Sequence, residues 1–369
     1  MSNSNSELQP ELPGPMKDSG DDGGNDSKPE GSNGTAGRHS SRGSITISDN
    51  ESLPDPDETE TRQQAPGRET GNDLSDPWEE LDPTFEVVDL NHQRLTKIDE
   101  RIMQLSVVEV LTFRWNQLKS IENLQCLVTL KELEFYDNQI TEIQNLEALV
   151  NLEILDISFN RIRKIQNLGS LKKLRKLFLC ANKIGKIENL NELTNLETLE
   201  LGDNRLRAIE NIEHLTKLKE LYIGKNKITK LQNLDKLENL EILSIQSNRI
   251  LVIENLEKLS KLEQLYISHN GLEKIEGLSS NKELTTIDLA GNRIKLIENL
   301  DGLPKLEEFW FNDNFLDDWH QIDNLRHAPL KTVYFERNPI WQNGNDPNYR
   351  RRIKLALPSL TQIDATMCR

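Results

Sequence analysis

A 22-residue period predicts that most of this chain folds as an α/β solenoid of about 12 repeats. One copy, residues 152–174, reads LEILDISFNRIRKIQNLGSLKKL and fits the pattern LxxLxLxxNxIxxIxNLxxLxxL. Leucines at this spacing, repeated with a fixed period, define a leucine-rich repeat, which stacks into a right-handed solenoid. The asparagine of the pattern recurs at Asn116, Asn138, Asn160, Asn182, Asn204, Asn226, Asn248, Asn270, Asn292 and Asn314.

Each repeat divides into a strand, a turn and a return segment. Leu155 and Ile157 alternate with Asp156, which predicts a strand with one buried face. Asn160 follows where the backbone must turn, and its amide can satisfy buried main-chain groups in stacked repeats. The later apolar residues are spaced by three, which favours a short helical or 3₁₀ return, with Asn167 as its predicted helix cap.

The chain divides into three predicted regions. Residues 1–80 carry 18 acidic and 6 basic residues and few apolar ones, which predicts a disordered acidic tail. Three short motifs resemble kinase sites and predict phosphorylation of that tail: Arg38-His39-Ser40, Arg42-Gly43-Ser44 and Ser48-Asp49-Asn50-Glu51. Residues 84–340 form the solenoid, whose first repeat has Gln93 instead of the asparagine.

Residues 341–369 are predicted to form a C-terminal cap on the solenoid. Asp346 and Pro347 provide a helix start, and Pro358 ends that helix. The apolar residues predicted to cover the open end of the core are Tyr349, Ile353, Leu357 and Leu360. Such a cap would protect the last strand from pairing with another chain.

Composition and motifs argue against most functions other than protein binding. The three cysteines lack metal or disulfide spacing, and no signal peptide or membrane-length apolar run is evident, so we expect a soluble intracellular protein. There is no glycine-rich phosphate loop, HExxH motif or nucleophile elbow, so we expect no enzyme, metal, cofactor or small-molecule substrate. The absence of a basic surplus argues against nucleic-acid binding, and we expect no membrane partner.

The strand positions that face away from the core are the candidate binding residues. The central one of each repeat gives a column in which acids and aromatic rings alternate. We expect Phe178 and Trp310 to stand exposed without an intramolecular contact, as interface anchors do. Four strand-side positions per repeat hold 12 acids and 4 bases, which favours a partner with a basic surface. The simpler explanation is that rings suit strands and acids keep the face hydrated.

One short motif argues for a different binding mode. Residues 331–335, KTVYF, match the basic-Val-x-Phe pattern by which phosphatase regulators dock as extended peptides. Val333 and Phe335 are, however, the predicted core positions of the twelfth repeat. Docking through them would unfold that repeat, so we expect them to stabilise the fold instead.

Several segments closely resemble one family of proteins, the leucine-rich-repeat regulators of protein phosphatase 1. These segments read LEILDISFNRI, ITKLQNLDKLENL, LYISHNGLEKIEGL, LEEFWFNDN, TVYFERNP and YRRRIKLALPSLTQIDAT. The resemblance covers residues 84–369. The phosphatase-binding residues that it implies are Asp156, Phe178, Glu200, Tyr222, Asp288, Glu308, Trp310 and Tyr334.

The resemblance also implies a biological setting. It implies a nuclear and partly cytoplasmic protein that binds the catalytic subunit of protein phosphatase 1, and an inhibitor-type third subunit as another partner. The regulator would hold and inhibit the phosphatase during maturation and support its action in chromosome segregation. The alternative is a general scaffold that grips a helix of another assembly component, which would require a continuous apolar groove.

Overall fold

The structure, a computed structural model, describes residues 76–79 and 81–368. Its core element is one 14-stranded sheet whose strands follow chain order. The first twelve strands are parallel and come one from each repeat: β1 (Val87–Asp89), β2 (Val110–Thr112), β3 (Glu132–Glu134), β4 (Ile154–Asp156), β5 (Lys176–Phe178), β6 (Thr198–Glu200), β7 (Glu220–Tyr222), β8 (Ile242–Ser244), β9 (Gln264–Tyr266), β10 (Thr286–Asp288), β11 (Glu308–Trp310) and β12 (Thr332–Tyr334). This arrangement confirms the predicted leucine-rich-repeat solenoid.

The core is a continuous column of branched apolar side chains. In the repeat that contains β4, the strand residues Leu155 and Ile157 and the return residues Ile165 and Leu171 are all fully buried. Full burial stabilises each such side chain by about 1.5–3 kcal/mol relative to exposure. Because each repeat covers the next, no single repeat has a core of its own.

The predicted asparagine ladder is confirmed. The amide nitrogen of Asn160 donates to the carbonyl oxygens of Phe135 at 2.9 Å and Ser158 at 3.0 Å, and its amide oxygen accepts the N–H of Ile140 at 2.8 Å. The same set of bonds recurs 22 residues later at Asn182. The ladder therefore satisfies main-chain groups of two adjacent repeats at once.

The return has the 3₁₀-type hydrogen bonds of one of the two predicted alternatives, but it forms no continuous helix, and the predicted asparagine helix cap is wrong. The return consists of turns, with the N–H of Leu171 bonded to Leu168 O at 3.0 Å. Asn167 has a left-handed backbone, φ 59°, and its side chain donates to Ile143 O of the preceding repeat at 2.8 Å. A turn that must rejoin the sheet within 22 residues leaves no length for a helix, so this asparagine joins repeats instead. Gly277 replaces it once, with φ 72°.

The N-terminal end of the described chain packs against the solenoid. Trp78 is buried. Asp76 forms an ion pair at 2.8 Å with Arg101, which lies in the 3₁₀ helix Glu100–Gln104. The turn at 76–79 lies within the range 1–80 that was predicted as a tail. The rest of that range, including the three kinase-like motifs, lies outside the described residues.

The C-terminal end carries the remaining helices and strands. Two 3₁₀ helices, Trp319–Leu325 and Pro339–Gly344, precede the helix α1 (Tyr349–Ala356). Strand β13 (Gln362–Ile363) extends the sheet parallel to β12, and β14 (Thr366–Met367) folds back antiparallel to it. The four residues predicted to cover the open end of the core are all buried: Tyr349, Ile353, Leu357 and Leu360. Within the described residues, no helix has the length and apolar character that crossing a membrane would require.

Candidate protein-interaction surface

The last residues of the twelve parallel strands form one continuous file, which we name the strand-end ridge. Sheet pairing joins each member to the next, as for Asp156 with Phe178 and for Asp288 with Trp310. Adjacent members are therefore about 4.8 Å apart. In leucine-rich solenoids the strand face lines the inside of the horseshoe. The members are Asp89, Thr112, Glu134, Asp156, Phe178, Glu200, Tyr222, Ser244, Tyr266, Asp288, Trp310 and Tyr334.

The structure gathers the eight predicted site residues into two clusters. Both consist of side chains on consecutive strands of the ridge, except that Glu308 begins β11 and lies two residues before Trp310. Strands β8 and β9 separate the clusters. The first cluster is Asp156, Phe178, Glu200 and Tyr222, and the second cluster is Asp288, Glu308, Trp310 and Tyr334.

Trp310 is the centre of the second cluster. Its ring meets that of Tyr334 edge to face, with centroids 5.6 Å apart, and that of Tyr266 with centroids 6.1 Å apart. The indole Nε1 is buried and has no hydrogen-bond partner among the described residues. A buried donor left without an acceptor costs about 1–3 kcal/mol. An acceptor supplied from outside the chain would remove that cost.

The expectation that Trp310 and Phe178 stand exposed without an intramolecular contact is wrong. Both side chains are half-buried, and Trp310 contacts two tyrosine rings. The physical reason is the strand spacing of about 4.8 Å, since a ring wider than this distance covers its neighbour. The rings are thus held in place before any partner arrives.

Tyr334 is oriented by the C-terminal hairpin. Gln362, on β13, donates from Nε2 to the Tyr334 hydroxyl at 2.8 Å and also to the carbonyl oxygen of Asp364 at 2.9 Å. Burial raises the pKa of Tyr334, so its hydroxyl stays protonated and remains a donor. The hairpin therefore places a fixed polar group at the edge of the second cluster.

Burial keeps the carboxyl groups of both clusters away from water. It raises the pKa of Asp156 and Glu200 in the first cluster and of Asp288 and Glu308 in the second. Asp156 still accepts the N–H of Ser158 at 2.8 Å. Carboxylates in such positions gain most from a cationic group that comes within reach.

Cys180 lies against the first cluster and is not a nucleophile. Burial, with Glu200 and Asp203 nearby, raises the pKa of its thiol to about 12. The thiolate is the reactive form of cysteine, and it is scarce at neutral pH when the pKa is this high. No group of three or more His, Cys, Asp or Glu in the described part of the chain could hold a metal ion.

Two of the four basic residues counted on the strand face pair with its own acids. Arg114 forms a bidentate pair with Glu134, and Arg337 bonds Asp313 at 2.6 Å and Glu336 at 2.7 Å. The carboxyl groups of the two clusters are outside these ion pairs. The four acids of the clusters are therefore among those that give the face its acidic excess.

The docking motif in residues 331–335 is closed in the fold, as predicted. Val333 and Phe335 are fully buried, and Phe335 packs against Phe309 and Phe311 with ring centroids 6.1 and 6.4 Å apart. Only Tyr334, between them, faces outward. A peptide-type docking through this motif would require β12 to leave the sheet.

An exposed aromatic group that the sequence reasoning missed lies at the N-terminal repeats. Trp115 and Phe159 are 42% and 45% exposed, and Tyr136 lies between them at 5.6 and 4.8 Å. His92 stacks on Trp115 at 4.4 Å. His92, Trp115 and Phe159 have left-handed backbones, and each directly precedes the ladder position of its repeat. The sequence analysis considered only strand positions and therefore missed this turn. The signal was present, because Trp115 and Phe159 are 44 residues apart, which is two repeats.

The repeat pattern, the parallel sheet and the strand-end ridge define a repeat protein with a preformed candidate binding surface. A family model described as a leucine-rich repeat region matches residues 160–357, and another, for two copies of the repeat, matches residues 128–169. The first match covers more than half of the chain. The chain belongs to the leucine-rich-repeat family.

Curated relatives bear a more specific name over a short stretch. Protein phosphatase 1 regulatory subunit 7 from Bos taurus is 56% identical over 55 residues, and the protein of that name from Homo sapiens is 53% identical over 55 residues. Each match covers 15% of this chain and 14% of the relative. The resemblance to leucine-rich-repeat regulators of protein phosphatase 1 is thereby confirmed, within that stretch.

Solved structures share the fold over a much larger part of the chain. An internalin from Listeria monocytogenes superposes with a TM-score of 0.61 at 23% identity, covering 77% of this chain and 87% of the internalin chain. A leucine-rich-repeat protein from Leptospira interrogans gives 0.59 at 22% identity, covering 74% and 75%. At this identity the likeness concerns the fold alone.

Proposed function

We propose that this chain is a non-catalytic regulatory subunit that binds the catalytic subunit of protein phosphatase 1 through the strand-end ridge. The relatives named above are regulatory subunits of that phosphatase, which supplies the partner. The observation that carries the binding site is the second cluster, where a tryptophan with an unpartnered buried N–H lies between two tyrosines and beside two acids.

The second cluster has the composition of an interaction hot spot. Tryptophan and tyrosine dominate the binding energy of protein interfaces when they are packed and shielded from water. Trp310 is already packed on Tyr266 and Tyr334, so its ring loses little conformational freedom on binding.

Electrostatics favour a basic surface on the partner. Burial raises the pKa values of four acids, because it disfavours their charged form: Asp156, Glu200, Asp288 and Glu308. A lysine or arginine from the partner would stabilise the charged form through a charge-assisted hydrogen bond. The acids would then select the partner and orient it, while the rings supply most of the affinity.

The proposal includes the biological role that the sequence resemblance implies. The subunit holds and inhibits the phosphatase during its maturation, acts in the nucleus and partly in the cytoplasm, and supports chromosome segregation in mitosis. An inhibitor-type third subunit joins the same complex. Phosphorylation of the N-terminal tail is part of the same proposal.

A titration of the purified phosphatase catalytic subunit with the wild-type chain and with Trp310→Ala tests the binding site. We expect the substitution to weaken binding by more than about 2 kcal/mol, as hot-spot residues do. Phe315→Ala is a suitable control because Phe315 follows the same strand, is 49% exposed and lies off the ridge. Circular dichroism would verify that both variants stay folded.

Two outcomes would remove the proposal. If the folded wild-type chain fails to bind the phosphatase, with or without the metals of the phosphatase, the partner assignment is wrong. If Trp310→Ala and Phe315→Ala behave alike, the ridge is not the binding surface. A scaffold that grips a helix is disfavoured at the outset, because acids interrupt both clusters and leave no continuous apolar groove.

A further inference from the structure

A straight file of basic residues runs along the edge of the sheet where the strands end, and we name it the basic stripe. Each member immediately follows the ladder asparagine of its repeat or the equivalent position. Each donates its backbone N–H to a carbonyl oxygen of the preceding repeat at 2.8 or 2.9 Å, which aligns the members repeat by repeat. The members are Arg161, Lys183, Arg205, Lys227, Arg249 and Arg293.

The spacing of the stripe follows from the sheet. Five members come from consecutive repeats, and only Gly271 interrupts the file before Arg293. With repeats about 4.8 Å apart, the uninterrupted part extends over roughly 20 Å. The side chains of Arg161, Lys227 and Arg249 are exposed, while those of Lys183 and Arg205 are half-buried.

None of the six stripe residues forms an ion pair with a residue that the structure describes. Two acids of the neighbouring turns are paired with other lysines. Glu210 lies 3.8 Å from Lys186, and Glu254 lies 3.7 Å from Lys230. Like charges at this spacing repel one another, and a ligand of opposite charge would remove that repulsion.

The opposite edge of the same sheet shows how this solenoid otherwise arranges charges at the same spacing. There the residues that precede strands β2 to β8 alternate in sign, and each base among them lies between two acids. Lys131 bonds Glu109 at 2.6 Å, and Glu197 pairs with Arg175 at 2.9 Å and with Lys219 at 3.1 Å. The charges of this edge neutralise one another, whereas the basic stripe has no acidic counterpart among the residues that the structure describes.

We propose that the basic stripe binds an extended, carboxylate-rich polypeptide segment of a partner protein. A single file of cations fits a single extended chain, and the arginines can grip carboxylates with two parallel hydrogen bonds. Single-stranded nucleic acid fits less well, because proteins that bind it place aromatic rings for base stacking among the cations, and the file from Arg161 to Arg293 contains no aromatic residue. The stripe residues follow the ridge residues of their repeats by five positions, beyond the ladder asparagine, and none of them belongs to the two clusters.

Fluorescence anisotropy with a labelled twelve-residue oligoglutamate, titrated with the full chain at low salt, tests the stripe. The test variant is Lys227→Glu with Arg249→Glu. The control variant is Lys236→Glu with Lys258→Glu, because each control lysine is exposed and lies nine residues after a stripe residue in the same repeat. Both variants change the net charge equally.

We expect the stripe variant to weaken peptide binding by about tenfold or more and the control by less than about twofold, because close charge pairs dominate over distant ones. Trp310→Ala should leave oligoglutamate binding unchanged, which separates this site from the ridge. Equal losses in the stripe and control variants would mean bulk attraction and would overturn the proposal. So would the absence of peptide binding by the wild type, or tighter stripe-dependent binding of a twelve-nucleotide oligouridylate.

Discussion

The rings of Tyr266 and Trp310 meet edge to face with centroids 6.1 Å apart, although an entire strand, β10, lies between their strands. The strand-end residue of β10 is Asp288, which is paired in register with both. Asp288 is only 7% exposed. The two rings therefore cover a carboxyl group. The packing of the candidate binding face thus also determines the burial and the ionisation of Asp288.

The buried carboxyl of Asp288 should make stability depend on pH. Burial raises its pKa above the unfolded value of 3.8, so the folded state favours the protonated form. Its stabilising effect is complete below pH 3.8 and is lost as the pH rises through the folded pKa. Asp288→Asn, which stays neutral, should thus gain stability relative to wild type between acid and neutral pH.

Urea denaturation of both proteins at several pH values would measure this gain. Asp235→Asn serves as a control, since Asp235 is exposed and forms no ion pair with a residue that the structure describes. A stability difference between Asp288→Asn and wild type that does not change with pH would contradict the expected titration.

Neighbouring residues of β12 should separate stability from binding. Val333→Ala removes fully buried apolar volume and should lower the free energy of unfolding by about 2 kcal/mol. Tyr334→Ala removes an outward-facing ring and should instead weaken phosphatase binding by about 2 kcal/mol. Urea denaturation and calorimetric titration of both variants would measure these effects.

The opposite outcome is equally clear for β12. If Tyr334→Ala left affinity intact while an isolated peptide of residues 329–337 bound the phosphatase, the short docking motif would be functional after all. A Tyr334→Phe variant isolates the hydroxyl, which accepts one hydrogen bond from Gln362.

The ladder asparagine should contribute more to stability than an asparagine on the outer turns. Asn160→Ala leaves several buried main-chain groups without partners, so we expect a loss of about 3 kcal/mol, with each unsatisfied group costing about 1–3 kcal/mol. Asn195→Ala removes two exposed bonds, one donated to Lys172 O and one accepted from Lys217, and should cost about 1 kcal/mol or less because water can replace both partners. Equal losses in denaturant titrations would show that the ladder is not a special source of stability.

Gly277 should be intolerant of alanine. Its φ is 72°, and an added Cβ would overlap the carbonyl oxygen of Ile253. Gly277→Ala should therefore cost about 1–3 kcal/mol. Gly277→Asn should cost less, because asparagine tolerates this backbone and could donate to the Ile253 carbonyl after a small shift, as Asn299 does to Ile275. Thermal unfolding would compare them, and a harmless alanine would contradict the expected clash.

The sequence by itself determined the solenoid, its register and the identity of the strand-end ridge. The reason is physical: a fixed 22-residue period places every equivalent residue at an equivalent site, so one repeat predicts all others. That is why Asp156 and Trp310 were correctly placed on one file. The roles of these residues in binding stay predictions.

Only the tertiary structure decided what the side chains do between repeats. These contacts join residues that are 24 to 44 positions apart. Examples are the ring contact of Tyr266 with Trp310, the hydrogen bond from Gln362 to Tyr334 and the hydrogen bond from Asn167 to Ile143. A repeat pattern fixes where a residue lies but not which neighbour its side chain reaches, since ring size, rotamer and left-handed turns are settled by packing. The charged residues beside the strands show the same limit of sequence-based prediction. Those before the strands form ion pairs, whereas those of the basic stripe form none with the described residues, and side-chain reach decides the difference.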